Sequence, residues 1–152
     1  MSHELVLKRH LTASRQNLWR CWTEPELLKQ WFCPLPWKVT EAKMTNCVGG
    51  ANSFVMRGPN GEEHTSRGVY LEIVPQQKLV FTDAYVDAWT PSEKPFMTST
   101  VTFEDAPGGG TIYTAVARHW SAEDQKAHEQ MGFHEGWGKA ADQLDALAKS
   151  LS

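Results

Sequence analysis

The chain opens on an alternating pattern. Leu5, Leu7 and Arg9 alternate with Val6, Lys8 and His10, which predicts a strand over Leu5–Leu11 with one weakly apolar face. The period then lengthens. Ser14 stands where a helix N-cap belongs, and Leu18, Trp19 and Trp22 follow at helical spacing. Thr23 is a candidate cap for a second helix, with Pro25 in its first turn and Glu26 at the capping-box position. That helix would set Leu27, Leu28, Trp31 and Phe32 on one side, and Pro34 and Pro36 stop it. From Trp37 to His119 the pattern returns to strands and turns. Strands are predicted over Trp37–Met44, Asn52–Arg57, Glu63–Val74, Lys78–Val86, Phe96–Glu104 and Thr111–His119. Asn60-Gly61 predicts a type I′ hairpin turn, Gly68 a bulge or a close backbone approach, and Asp87–Pro95 a loop. Ser121, with Glu123 and Asp124 behind it, opens a last helix. Its apolar stripe runs through Trp137, Ala141, Leu144, Ala148 and Leu151. Gly132, Gly136 and Gly138 inside this region predict a kink or a close approach near Met131 and Phe133.

The order is one strand, two short helices, six strands and a long helix. Tight turns between successive strands predict an antiparallel sheet. A curved sheet wrapped around one amphipathic helix buries both apolar faces, and an apolar hollow remains where the sheet bends away. The expected fold class is therefore α+β, as a single domain over 1–152.

Composition narrows the class. Apolar residues make up 41% and charged residues 22%, ordinary for a globular chain. Net charge is −3, without any run of Lys or Arg, which argues against nucleic acid and against an anionic membrane surface as partners. Met1-Ser2-His3-Glu4 is not the basic start of a signal peptide, so a cytoplasmic protein is expected. Cys21, Cys33 and Cys47 are widely spaced and form no Cys-x-x-Cys pair, so neither a metal nor another cofactor is expected. Seven Trp residues are unusual at this length; large rings fill cores and also line pockets for flat ligands.

Several stretches together resemble a known superfamily. They are Leu18-Trp19-Arg20-Cys21-Trp22-Thr23-Glu24-Pro25-Glu26, Leu28-Lys29-Gln30-Trp31-Phe32, Gly49-Gly50 and Met56-Arg57-Gly58-Pro59-Asn60-Gly61. Gly68-Val69-Tyr70-Leu71-Glu72-Ile73-Val74-Pro75, Lys78-Leu79-Val80-Phe81-Thr82-Asp83 and Gly132-Phe133-His134-Glu135-Gly136-Trp137 complete the ordered set. The chain resembles the START-like, or SRPBCC, helix-grip superfamily of birch-pollen-allergen-like proteins. Its branch is similar to bacterial relatives of the C-terminal domain of the heat-shock-protein ATPase activator, the AHSA-like proteins. The resemblance implies a helix-grip fold with a cavity. It implies a function within a range that spans carriers of hydrophobic molecules, polyketide cyclases, resistance proteins and co-chaperone domains. The co-chaperone carries a separate N-terminal domain, which a chain of 152 residues is expected to lack.

Candidate chemistry is sparse. His128 and His134 are six apart and fall on different helix faces, while His64 and His119 lie on strands that could meet across the sheet. Asp83 shares strand parity with Phe81 and Tyr85; facing inward it would be a buried acid or base, facing outward an ordinary carboxylate. Arg57 and Arg67 flank a hairpin and could clamp an anionic group. Candidate cavity residues are Trp19, Trp22 and Trp31 from the short helices, and Phe54, Met56, Tyr70, Phe81, Asp83 and Tyr85 from the middle strands. Trp89 and Phe96 are candidates for the lip, with Phe103, Tyr113 and His119 from the last strands and Phe133 and Trp137 from the helix. The leading expectation is a binder of a small apolar, ring-containing molecule. A cyclase- or hydrolase-type enzyme using the same cavity, and a co-chaperone-like interaction module, are the alternatives. A homodimer is compatible with the sequence.

Overall fold

The computed structural model describes residues 3–87, 89–93 and 95–151. Strand β1 (His3–Leu11) leads into helices α1 (Arg15–Thr23) and α2 (Pro25–Leu28). Strands β2 (Lys38–Met44), β3 (Ala51–Arg57), β4 (Glu63–Val74) and β5 (Lys78–Thr82) follow. Two short strands, β6 (Tyr85–Asp87) and β7 (Thr90–Pro91), form a separate ribbon. Strands β8 (Met97–Asp105) and β9 (Thr111–His119) then precede helices α3 (Ala122–Gln130) and α4 (Phe133–Ser150). The main sheet is antiparallel, in the order β1-β9-β8-β5-β4-β3-β2. None of the described helices is long and apolar enough to cross a membrane.

Four local expectations change. Ser14 does cap α1, its side chain accepting from the Asn17 amide. Thr23, however, is the last residue of α1, and its hydroxyl donates back to the Trp19 carbonyl, so it cannot cap α2. Glu24 holds that position without a side-chain cap, its carboxylate paired with Arg20 at 2.9 Å. The hairpin after β3 is longer than a two-residue type I′ turn. Gly61 takes the positive φ of +84° there and Asn60 does not, while Gly58 and Glu62 close the loop at 3.0 Å.

The strand expected over Lys78–Val86 ends at Thr82. There the Thr82 hydroxyl accepts from Ala84 N–H, and Asp83 Oδ1 accepts from the amides of Phe96 and Met97 at 2.8 and 3.1 Å. Side chains thus take over hydrogen bonds that the ladder would have supplied, and the chain leaves the sheet to make the β6–β7 ribbon. The last helix is two helices. Gly132 has φ +90°, a left-handed conformation that ends α3 and starts α4. Helix α3 buries none of its residues completely, whereas α4 buries Phe133, Gly138, Ala140, Ala141, Leu144 and Ala148.

Gly138 leaves room for the Arg9 guanidinium, and small residues, Ala141 and Ala148 among them, let the middle and end of α4 bury against the core. Polar pins fix its position. Asp145 accepts from the amides of Thr12 and Ala13 at the end of β1. Gln143 Nε2 donates to the carbonyls of Trp31 and Cys33, and its Oε1 accepts from Leu35 N–H. The proline-rich segment after α2 is therefore tied to the middle of α4. Gly68 proves to be a close approach, since a Cβ there would strike the Thr82 carbonyl. The bulge in β4 lies further on, between Tyr70 and Glu72.

Candidate ligand cavity

The C-terminal half of α4 packs solidly, but its first turns stand off the sheet. Between them and strands β3, β4, β5 and β8 lies a cavity of about 600 Å³. Helix α4 contributes Gly136, Trp137 and Ala140. The deep wall comes from Trp22 on α1, Trp31 after α2, Phe54 on β3 and Tyr113 on β9, all buried. Phe32, Met56, Phe81 and Met97, each half-buried, widen the apolar lining. Exposed His64 and Arg67 on β4, and Met131 at the α3–α4 junction, mark the rim. A shallower depression of about 380 Å³ adjoins this rim and shares His64, Ser66, Arg67 and Asp83 with it.

The rings hold each other in place. Trp22 meets Trp31 edge-on at 4.9 Å between centroids, and Trp31 Nε1 donates to the Cys21 carbonyl at 2.9 Å. Phe32 leans on Phe54 at 5.0 Å. Such edge contacts fix orientation as well as bury area. The Trp22 indole N–H leans toward the Tyr113 hydroxyl but is buried without a well-formed hydrogen bond. Burial pushes the Tyr113 phenol far up from its usual value, and takes Tyr70 up to about 12. Both stay neutral donors under ordinary conditions. Burial also raises the Cys33 thiol, in the cavity wall, to about 11, so it is a small apolar group there rather than a nucleophile.

Of the residues named from the sequence as cavity candidates, Trp22, Trp31, Phe54, Met56, Phe81, Asp83, Phe96, Tyr113 and Trp137 line the cavity. The others lie elsewhere. Trp19 and Phe103 pack edge-on against each other in the core, and Tyr70 is buried against the back of Phe81. Phe133 is buried between His128 and Trp137. Trp89, placed at the lip from sequence, sits with φ +63° in the turn of the β6–β7 ribbon, stacked edge-on against Tyr85 and 56% exposed. The break after Thr82 carries both rings away from the cavity. His64 and His119 do not meet, because β5 and β8 lie between β4 and β9. Arg57 pairs with Glu63 at 2.8 Å, which leaves Arg67 alone of the two arginines at the rim.

His119 instead meets His128, Nε2 to Nδ1 at 2.8 Å, and its own Nδ1 lies 2.8 Å from the His3 carbonyl. His128 lines the cavity; burial first, and then repulsion from His119, lower it to about 4. Sequence reasoning also missed Phe32, Asn52, Ser66, Thr82 and Ser99 in the wall. Asn52 shares strand parity with Phe54 and Met56, and Ser66 with His64 and Gly68, so alternation was the available signal. Among the described residues, no three His, Cys, Asp or Glu side chains are gathered as a metal ligand set.

A curved antiparallel sheet gripping a C-terminal helix over an aromatic hollow defines a helix-grip protein. The chain belongs to the family described as Activator of Hsp90 ATPase homolog 1-like protein, which it matches over residues 12–149. A solved protein from Nitrosomonas europaea is 39% identical, the match covering 96% of this chain and 94% of that one at a TM-score of 0.92. Two further structures share the fold. One, from Arthrobacter aurescens, is 24% identical over 98% of this chain and 87% of its own, with a TM-score of 0.81. The other, an AHSA1-like protein from Aeromonas hydrophila, is 18% identical over 97% and 92%, with a TM-score of 0.73. No curated protein matches the sequence.

Proposed function

We propose that this protein binds a small apolar, ring-containing molecule in the space between α4 and the sheet, without obligatory catalysis. The observation that carries this reading is the cavity of about 600 Å³ walled by Trp22, Trp31, Phe54, Phe81 and Trp137. Its size and its mostly apolar lining suit a small-molecule site. Asp83, the acid singled out from sequence, is already engaged by two backbone amides that hold the start of β8. That use supports binding over acid–base chemistry at this residue.

The test is a titration with 8-anilino-1-naphthalenesulfonate, followed by probe fluorescence, with naphthalene as competitor. Saturable one-to-one binding that naphthalene displaces is expected. Ala140→Phe sends a ring into the cavity and is expected to weaken the probe at least tenfold. Trp89→Ala is expected to leave binding unchanged, because that ring lies outside the lining. Non-saturable binding, or full affinity in the Ala140→Phe variant, would sink the reading.

A further inference from the structure

A chain of hydrogen bonds that begins at the backbone leaves one ring nitrogen of His128, a cavity-lining residue, without a partner among the described residues. The His3 carbonyl can only accept, so the nitrogen facing it at 2.8 Å, His119 Nδ1, carries a proton. In a neutral imidazole the other nitrogen is then a bare lone pair. His119 Nε2 therefore accepts, and the nitrogen 2.8 Å away, His128 Nδ1, donates to it. By the same rule His128 Nε2 is left as a lone pair. No described residue hydrogen-bonds to it, and His128, unlike His119, lines the cavity.

The surroundings keep His128 neutral. His128 is packed among Phe96 at 5.2 Å and Phe133 and His119 at 5.0 Å between centroids. A second proton on its imidazole would place a charge among these rings, which desolvation opposes, in line with its lowered value. A second polar group in the lining also lacks a side-chain partner among the described residues. Asn52 on β3 is 5% exposed, lines the cavity, and makes no side-chain hydrogen bond to another described residue.

We propose that His128 Nε2 is a recognition acceptor, and that the cavity takes an aromatic molecule carrying a hydroxyl whose O–H donates to that nitrogen. This rests on the reading of the cavity as a ligand site. An acceptor-only group such as a carboxylate would face a lone pair, and an ammonium would be desolvated among aromatic rings. An aromatic hydroxyl is neutral, is a stronger donor than an aliphatic one, and comes on a ring that the wall fits.

The experiment compares 2-naphthol with its near-isostere 2-methylnaphthalene by amide NMR titration of the wild type and His128→Phe. The variant is expected to weaken 2-naphthol by about three- to tenfold, the value of one hydrogen bond, and to leave 2-methylnaphthalene within about twofold. If His128→Phe changes both probes alike, the acceptor role is overturned while the cavity reading stands. If neither probe binds the wild type, the cavity reading fails and takes this inference with it. Imidazole nitrogen shifts in the wild type give a check that needs neither variant nor ligand. Both His119 and His128 are expected as the Nδ1–H tautomer. An Nε2–H tautomer on either ring overturns the proposal.

Discussion

The imidazole of His128 is enclosed by the rings of Phe96, Phe133 and His119, and that packing sets its acid–base behaviour. Burial, followed by repulsion from His119, takes it from 6.5 down to about 4. The folded protein therefore binds fewer protons than the unfolded chain between those limits. The contribution of this residue to stability is complete above about pH 6.5 and is lost as pH falls toward 4. The measurement is an NMR titration of the His128 ring protons, with a midpoint expected near 4; a midpoint above 6 would mean that the ring is not enclosed as described. Asp83 makes the same point by another route. Parity put it on a face with Phe81, and both do line the cavity. What it does there is set by the amides of Phe96 and Met97, which no pattern in its own strand announces.

Two elements end where a single residue or a short cluster forces them to. Strand β5 stops because Thr82 and Asp83 supply hydrogen bonds with their side chains. Helices α3 and α4 are separate because Gly132 adopts φ +90°. A Cβ at Gly132 would meet nothing within 4 Å, so replacing it strains the backbone alone. Gly132→Ala is expected to cost about 1–2 kcal/mol in equilibrium denaturation, the penalty for a left-handed residue with a side chain. A loss below about 0.5 kcal/mol, within the range of a plain surface change, would show that the junction adapts without strain. The junction also has a use. Helix α3 docks at the β1–β9 edge, where Gln125 donates to the Glu4 carbonyl, and this brings His128 to the cavity wall.

Across the whole molecule α4 works in two halves. Gly136, Trp137 and Ala140 roof the cavity, while Ala141, Leu144 and Ala148 are packed into the core. Leu144 is fully buried, and Leu144→Ala is expected to cost about 2–5 kcal/mol in chemical denaturation. A cost below about 1 kcal/mol would mean that this half of the helix is not core. Probe affinity in the folded variant is expected to stay at the wild-type level, since Leu144 does not line the cavity. The hollow end is thus carried by the solid end, and the pins through Gln143 and Asp145 hold the two in register.

Periodicity by itself determined the class of architecture, antiparallel strands against a C-terminal amphipathic helix. Period-two runs such as Thr111–His119 and the stripe through Ala141, Leu144 and Ala148 are local consequences of which faces must leave water, so they are written in adjacent residues. The same alternation carried Phe54 and Met56 to the wall, and would have carried Asn52. Only the tertiary structure decided which of the many rings were wall and which were core. Trp19 and Trp22 share a helix, yet one packs on Phe103 and the other faces the cavity. It also decided that His119 would find His128 rather than His64. That contact depends on strand order and on how α3 folds back over the β1–β9 edge. Both are set by packing between distant segments, and neither leaves a repeat in the chain.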